Sequence, residues 1–73
     1  MENYKLQDKN AIIAFLNKAK DGAFLTEIIE KSGANKLRVD PILTELYLEE
    51  RLEVLEQTEL GGFIKVRLIS TVL

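Results

Sequence analysis

The chain has 73 residues and a formal net charge of −2, with neither cysteine nor histidine. That length fits one small domain, and the missing residue types exclude disulfides, thiolate or imidazole metal sites and any nucleophile–histidine catalysis. Hydrophobic residues make up 47% of the chain, enough for a core, but no run of about 18 apolar residues is available to span a membrane. The first residues, Met1-Glu2-Asn3-Tyr4-Lys5, lack the apolar segment of a secretory signal. These features place the chain in the cytoplasm as a single domain over residues 1–73, with no cofactor expected.

Residues 1–7 are polar enough to read as a flexible N-terminal arm. Asp8 is a candidate N-cap for a first helix over Lys9 to Lys20, where Ile12, Ile13, Phe15, Leu16 and Ala19 recur at helical spacing. Asp21-Gly22 closes it with a turn dipeptide. Phe24 follows and is expected to be buried. Leu25, Ile28 and Ile29 then mark a second helix from Leu25 to Ser32. Gly33 ends that helix, because glycine adopts positive φ without a Cβ clash. Val39, Ile42, Leu43, Leu46 and Tyr47 give a third helical stripe. Two starts compete there. Asn35 can cap a helix beginning at Lys36, which puts Pro41 inside it, and Asp40-Pro41 is the other start. The expectation is a loose first turn and a regular helix from Pro41 to Glu50.

Leu52 to Thr58 and Phe63 to about Ile69 read as strands, and Gly61-Gly62 suits a two-residue hairpin turn. That turn sets Leu60 opposite Phe63, Leu55 opposite Leu68 and Glu56 opposite Arg67. It also puts Leu55, Ile64, Val66 and Leu68 on one face. Residues 70–73 are apolar and can extend the last strand.

From Asp8 to Ile69 this order resembles the winged helix-turn-helix family. Glu27-Ile28-Ile29-Glu30-Lys31-Ser32-Gly33 is similar to its second helix and closing glycine, and Val39, Leu43 and Leu46 fall at third-helix core positions. Leu52-Glu53-Val54 opens the wing, whose tip is Leu60-Gly61-Gly62. The resemblance implies an α+β, mostly α, fold of three helices with a C-terminal β-hairpin wing, and a short strand at Ala23-Phe24. It also implies a third helix that enters the DNA major groove. The chain departs from the family pattern at Pro41 and at Tyr47 to Arg51, where a glycine is common.

The outward side of the third helix, taken at 100° per residue, holds Leu37, Pro41, Thr44 and Leu48, flanked by Asp40, Glu45 and Arg51. Base readout needs Arg, Lys, Asn or Gln there. The candidate DNA contacts are therefore Asn35, Lys36 and Arg38 at the helix start, with Lys65 and Arg67 on the wing. Four phosphate contacts from the cationic members imply a log–log salt slope of about −3.6 and weak, poorly selective binding to double-stranded DNA. The apolar residues Leu37, Pro41, Leu48, Leu60 and Phe63 are candidates for a protein interface instead, unless Tyr4 and Leu6 of the arm cover the first three. Glu49, Glu50, Glu53 and Glu56 form a solvated acidic face without calcium-loop spacing. Two readings stay open. One is a non-catalytic DNA-binding domain of the transcription-regulator type. The other is a protein-interaction or dimerisation module, whose partner is a second copy or another protein.

Overall fold

Ile12 and Leu16 lie a helical turn apart, and Val39, Ile42, Leu43 and Leu46 share one side of a helix, so both sets need a common surface on which to leave water. The computed structural model describes residues 4–69 and provides that surface between three helices and a three-stranded antiparallel sheet. The chain runs α1 (Tyr4–Lys18), β1 (Ala23–Phe24), α2 (Leu25–Lys31), α3 (Lys36–Leu48), β2 (Leu52–Gln57) and β3 (Phe63–Leu68). The fold is α+β and mostly helical. The last strand in sequence is central in the sheet, whose order is β1-β3-β2.

The core joins Ile12 and Leu16 of α1, Ile28 of α2, the four residues of α3, Leu52 of β2 and Val66 of β3. Ala23 of β1 is buried opposite Val66, and its neighbour Phe24, opposite Lys65, points outward. Phe24 is therefore half exposed rather than buried, because strand alternation allows only one residue of the pair to face the core. Just before it, Gly22 has φ +103°, and a Cβ there would lie 2.7 Å from Leu55 Cδ1 and 3.1 Å from the Val66 carbonyl oxygen. Only glycine lets β1 approach β3 this closely.

The first helix begins at Tyr4, so Tyr4 to Gln7 form its first turn and not a flexible arm; residues 1–3 lie outside the described residues. Asp8 is consequently not an N-cap of α1. Its carboxylate accepts the Asn35 N–H (3.3 Å) and an Arg38 guanidinium N–H (3.1 Å) at the start of α3. The start of α3 is also settled in favour of Asn35. Its side-chain oxygen accepts the Leu37 N–H at 2.8 Å, and the helix continues through Pro41. The first turn keeps a tight i to i−3 bond from Arg38 N–H to the Asn35 carbonyl at 2.8 Å, so part of the expected loosening is present. The cap and the Asp8 bond together serve the orphan donors of this end, which offsets the hydrogen bond Pro41 cannot make.

Helices α2 and α3 are each followed by a residue in the left-handed region, but their ends are bonded differently, the Ala34 N–H after α2 reaching Ser32 Oγ at 3.2 Å. Gly33, with φ 85°, follows the last turn of α2. After α3 the left-handed position is filled by Glu50, with φ 60°. Arg51 N–H reaches the Leu46 carbonyl at 2.9 Å and Glu50 N–H the Tyr47 carbonyl at 3.0 Å, the paired bonds of a Schellman ending. A glutamate thus stands where the resemblance favours glycine, with the strain that a Cβ brings to that backbone.

The hairpin differs in register from the expectation. Leu52 pairs with Leu68, Glu53 with Arg67, Val54 with Val66, Glu56 with Lys65 and Gln57 with Phe63. The turn is not Gly61-Gly62. Thr58 N–H bonds the Gly62 carbonyl at 2.8 Å and Gly61 N–H the Thr58 carbonyl at 3.0 Å, so residues 59–61 form a three-residue loop with Gly61 at φ 88°. The Gly62 N–H also reaches Thr58 Oγ1 at 2.9 Å. This threonine hydroxyl and the single left-handed glycine favour the longer loop, and every expected cross-strand pair shifts with it. Arg67 faces Glu53 instead of Glu56. Leu55 falls at an irregularity between Val54 and Glu56 and is exposed instead of sharing the core face. Ile69 lies just past β3 and donates its N–H to the Arg51 carbonyl at 2.9 Å; an extension over residues 70–73 lies outside the described residues.

Candidate functional site

The third helix carries a charged edge toward α1. Lys5 and Lys9 stand four residues apart on α1, as do Glu45 of α3 and Glu49, its C-cap, so the two pairs meet across the helix–helix contact. Lys5 Nζ lies 2.7 Å from Glu45, and Lys9 Nζ lies 2.6 Å from Glu45 and 3.1 Å from Glu49. Hydrogen bonding from Lys5, then from Lys9, holds the Glu45 carboxyl down at about 2. Bonds from Glu45 and Glu49 raise Lys9 above its usual value. Asp8 and Arg38 extend the same edge toward the start of α3. None of these α1 residues was a candidate from sequence alone. The signal that finds them is the matched four-residue spacing of opposite charges on two helices whose apolar faces must also meet.

The other long side of α3 is bare. Leu37 is 82% exposed and Leu48 is 74% exposed, with Pro41 and Thr44 exposed between them. The Thr44 hydroxyl donates to the Asp40 carbonyl at 3.0 Å, which removes its one donor from this surface. Tyr4 and Leu6 do not cover the stripe: Arg38 stacks over the Tyr4 ring at 5.8 Å on the α1 side of the helix. Tyr47, the last residue of the apolar helical stripe, lies half exposed at the bare side's other edge, where its ring meets Phe63 edge-on at 6.5 Å. A shallow groove of about 320 Å³ runs here between Thr44, Tyr47 and Leu48 of α3 and Gly62 and Phe63 of the hairpin. Leu60 is 99% exposed at the loop tip, apart from the half-buried Phe63, so the expected Leu60–Phe63 pair does not form.

The residues first assigned to DNA contact are scattered by function. Asn35 is occupied as the cap of α3. Arg38 is paired with Asp8, and Arg67 is paired with Glu53. Lys65 stacks over Phe24 at 5.3 Å on the outer face of the sheet. Among the described residues Lys36 and Lys65 make no ion pair, and Lys36 alone of the five has no side-chain partner of any kind. Glu45 is turned toward α1, so of the two acidic residues expected beside the stripe only Asp40 remains there.

Among the described residues no group of three or more acidic side chains is arranged to hold a metal ion, and no helix is long and apolar enough to cross a membrane. No protein-family model, curated protein or solved structure matches the chain.

Proposed function

We propose that this chain is a winged-helix domain that acts without catalysis, by using the outward side of α3 and the adjoining hairpin as a protein-contact surface. The chain order, the helix-turn-helix closed at Gly33 and the β1-β3-β2 sheet support the winged-helix reading. The observation that carries the contact reading is the exposed row Leu37, Pro41, Thr44 and Leu48. Base edges present hydrogen-bonding groups, and this row offers them almost none. Contiguous apolar surface of this kind is instead characteristic of protein contacts.

DNA binding is the second reading, favoured by Lys36 at the start of α3, which makes no ion pair among the described residues, and by the turning of Glu45 away from the stripe. With Arg38 and Arg67 held by carboxylates, about two cations remain, and the salt slope falls to about −1.8. The test is an NMR titration of the domain with a generic duplex at low salt. On the contact reading, no saturable shift develops along α3. A saturable shift around Lys36 and Lys65 that Lys36→Glu with Arg38→Glu abolishes would overturn it in favour of DNA.

A further inference from the structure

We infer that the occupant of the α3 stripe is the same stripe of a second copy, packed antiparallel about a two-fold axis that runs between the two helices, level with the gap between Ile42 and Leu43. The inference rests on the protein-contact reading above and specifies its partner. Two features lead to it.

The first is the spacing of the stripe. In an antiparallel helix pair, two residues meet when they lie equally far on either side of the two-fold axis. Leu37 and Leu48 share a midpoint with Pro41 and Thr44, and that midpoint falls between Ile42 and Leu43. One symmetric arrangement therefore sets Leu37 on Leu48 of the other copy and Pro41 on Thr44, at both ends at once. At 1.5 Å of rise per residue, the paired residues are level along the axis. Both leucines, 82% and 74% exposed, gain a cover that nothing within residues 4–69 supplies.

The second feature is charge. A two-fold axis perpendicular to the helices brings the α1-side edge of one copy against the α1-side edge of the other. Along that edge Arg38 comes level with the gap between Glu45 and Glu49 of the second copy. Arg38 uses one guanidinium nitrogen on Asp8 and is half-buried, leaving further N–H donors in its planar fork. Glu45 and Glu49 are each partly exposed on the same edge, so opposite charges face one another. On the opposite edge, Lys36 of one copy comes near Tyr47 of the other, a cation beside an aromatic ring that is 51% exposed. A parallel pairing has neither advantage. It stacks Leu37 on Leu37 and turns the edge holding Arg38 toward the edge holding Lys36. The net charge of −2 leaves little repulsion between copies.

The chain contains no cysteine, so the register can be read with introduced ones. The experiment combines sedimentation equilibrium of the full chain, with Leu48→Glu as the disrupting variant, and short bismaleimide cross-linking of Leu37→Cys and Leu48→Cys proteins, alone and mixed. The expected result is a concentration-dependent dimer, at least tenfold weaker in Leu48→Glu, with cross-links abundant only in the mixture. Leu48 is exposed, so Leu48→Glu should keep the parent's circular dichroism melt, which shows that lost dimer is not lost fold. A dimer insensitive to Leu48→Glu overturns the inference, as do bridges within the Leu37→Cys protein alone. A parent that stays monomeric into the millimolar range also overturns it. If that monomer gives no duplex shift, only the self-pairing fails. If its α3 amides shift with duplex and the shift is lost on Lys36→Glu with Arg38→Glu, the protein-contact reading fails with it.

Discussion

Val39, Leu43 and Leu46 on the inner side of α3 are fully enclosed, whereas Leu37 and Leu48 on its outer side stand in solvent. Leucines stand on both sides, so being aliphatic does not by itself decide which of them is buried. What separates them is the rest of the chain. The sheet and α1 cover one side, and the Lys5, Lys9, Glu45 and Glu49 cluster ties α1 along its edge. The other side has no element of residues 4–69 laid over it. An aliphatic side chain here contributes to the fold only where a neighbour removes it from water.

The contrast can be broken most severely from inside. Leu46→Ala should cost roughly 2–5 kcal/mol, by lost transfer energy and the cavity left among α1, α3 and the sheet. In a domain this small that is a large part of the total, and urea or thermal unfolding should show it directly. Asn35→Ala acts at the start of both sides. Losing the cap on Leu37 N–H should cost about 1 kcal/mol, and hydrogen exchange at Leu37 and Arg38 should quicken as the helix retreats toward Asp40-Pro41.

The charged edge gives a smaller, pH-dependent effect. The folded state holds the Glu45 carboxyl at about 2, below its usual value of 4.5. The unfolded chain therefore takes up this proton first. The stabilisation is present above 4.5 and is lost as pH falls from there through 2. For Lys9 the direction is opposite: its raised value gives stabilisation that is complete below 10.5 and lost as pH rises beyond it. Urea midpoints compared at about pH 5 and about pH 2.5 should fall less for Glu45→Gln than for the parent. The smallest effect belongs to the bare side. Leu48→Ala should change monomer stability by under about 0.5 kcal/mol, measured at concentrations too low for association. A larger loss would mean that the outer side is finished within the chain after all.

The inner face was legible because it follows from period alone: Val39, Leu43 and Leu46 recur at helical spacing, and any helix with that stripe must bury it. Gly33 was legible for the same local reason. The register of the hairpin was not, because Gly61-Gly62 fits a two-residue turn as sequence, while the Thr58 hydroxyl and a single left-handed Gly61 close a three-residue loop in space. Shifting the loop reassigned Arg67 from Glu56 to Glu53 and turned Leu55 outward. The early start of α1 was hidden because Tyr4 to Gln7 carry little apolar signal and gain their order from α3, some forty residues away. Asp8 shows the same limit. It has the chemistry of a cap, and it serves the end of a helix other than its own. At the candidate site, the outward stripe could be read from the helical wheel. The capping role of Asn35 is local and was one of the two starts the sequence offered. The engagement of Arg38 and Arg67 could not be read, since their partners Asp8 and Glu53 come from long-range packing and strand pairing.

The position of β3 has a consequence for synthesis on the ribosome. Chains emerge N-terminus first, yet the strand between β1 and β2 is the last to be made. Until residues 63–68 leave the exit tunnel, β1 has no neighbour and Ala23 has no Val66 to pair with. The three helices must then wait with one wall of their core missing. A nascent chain stalled just short of Phe63 should be protease-sensitive throughout, and resistance should arrive in one step once β3 is clear, rather than helix by helix.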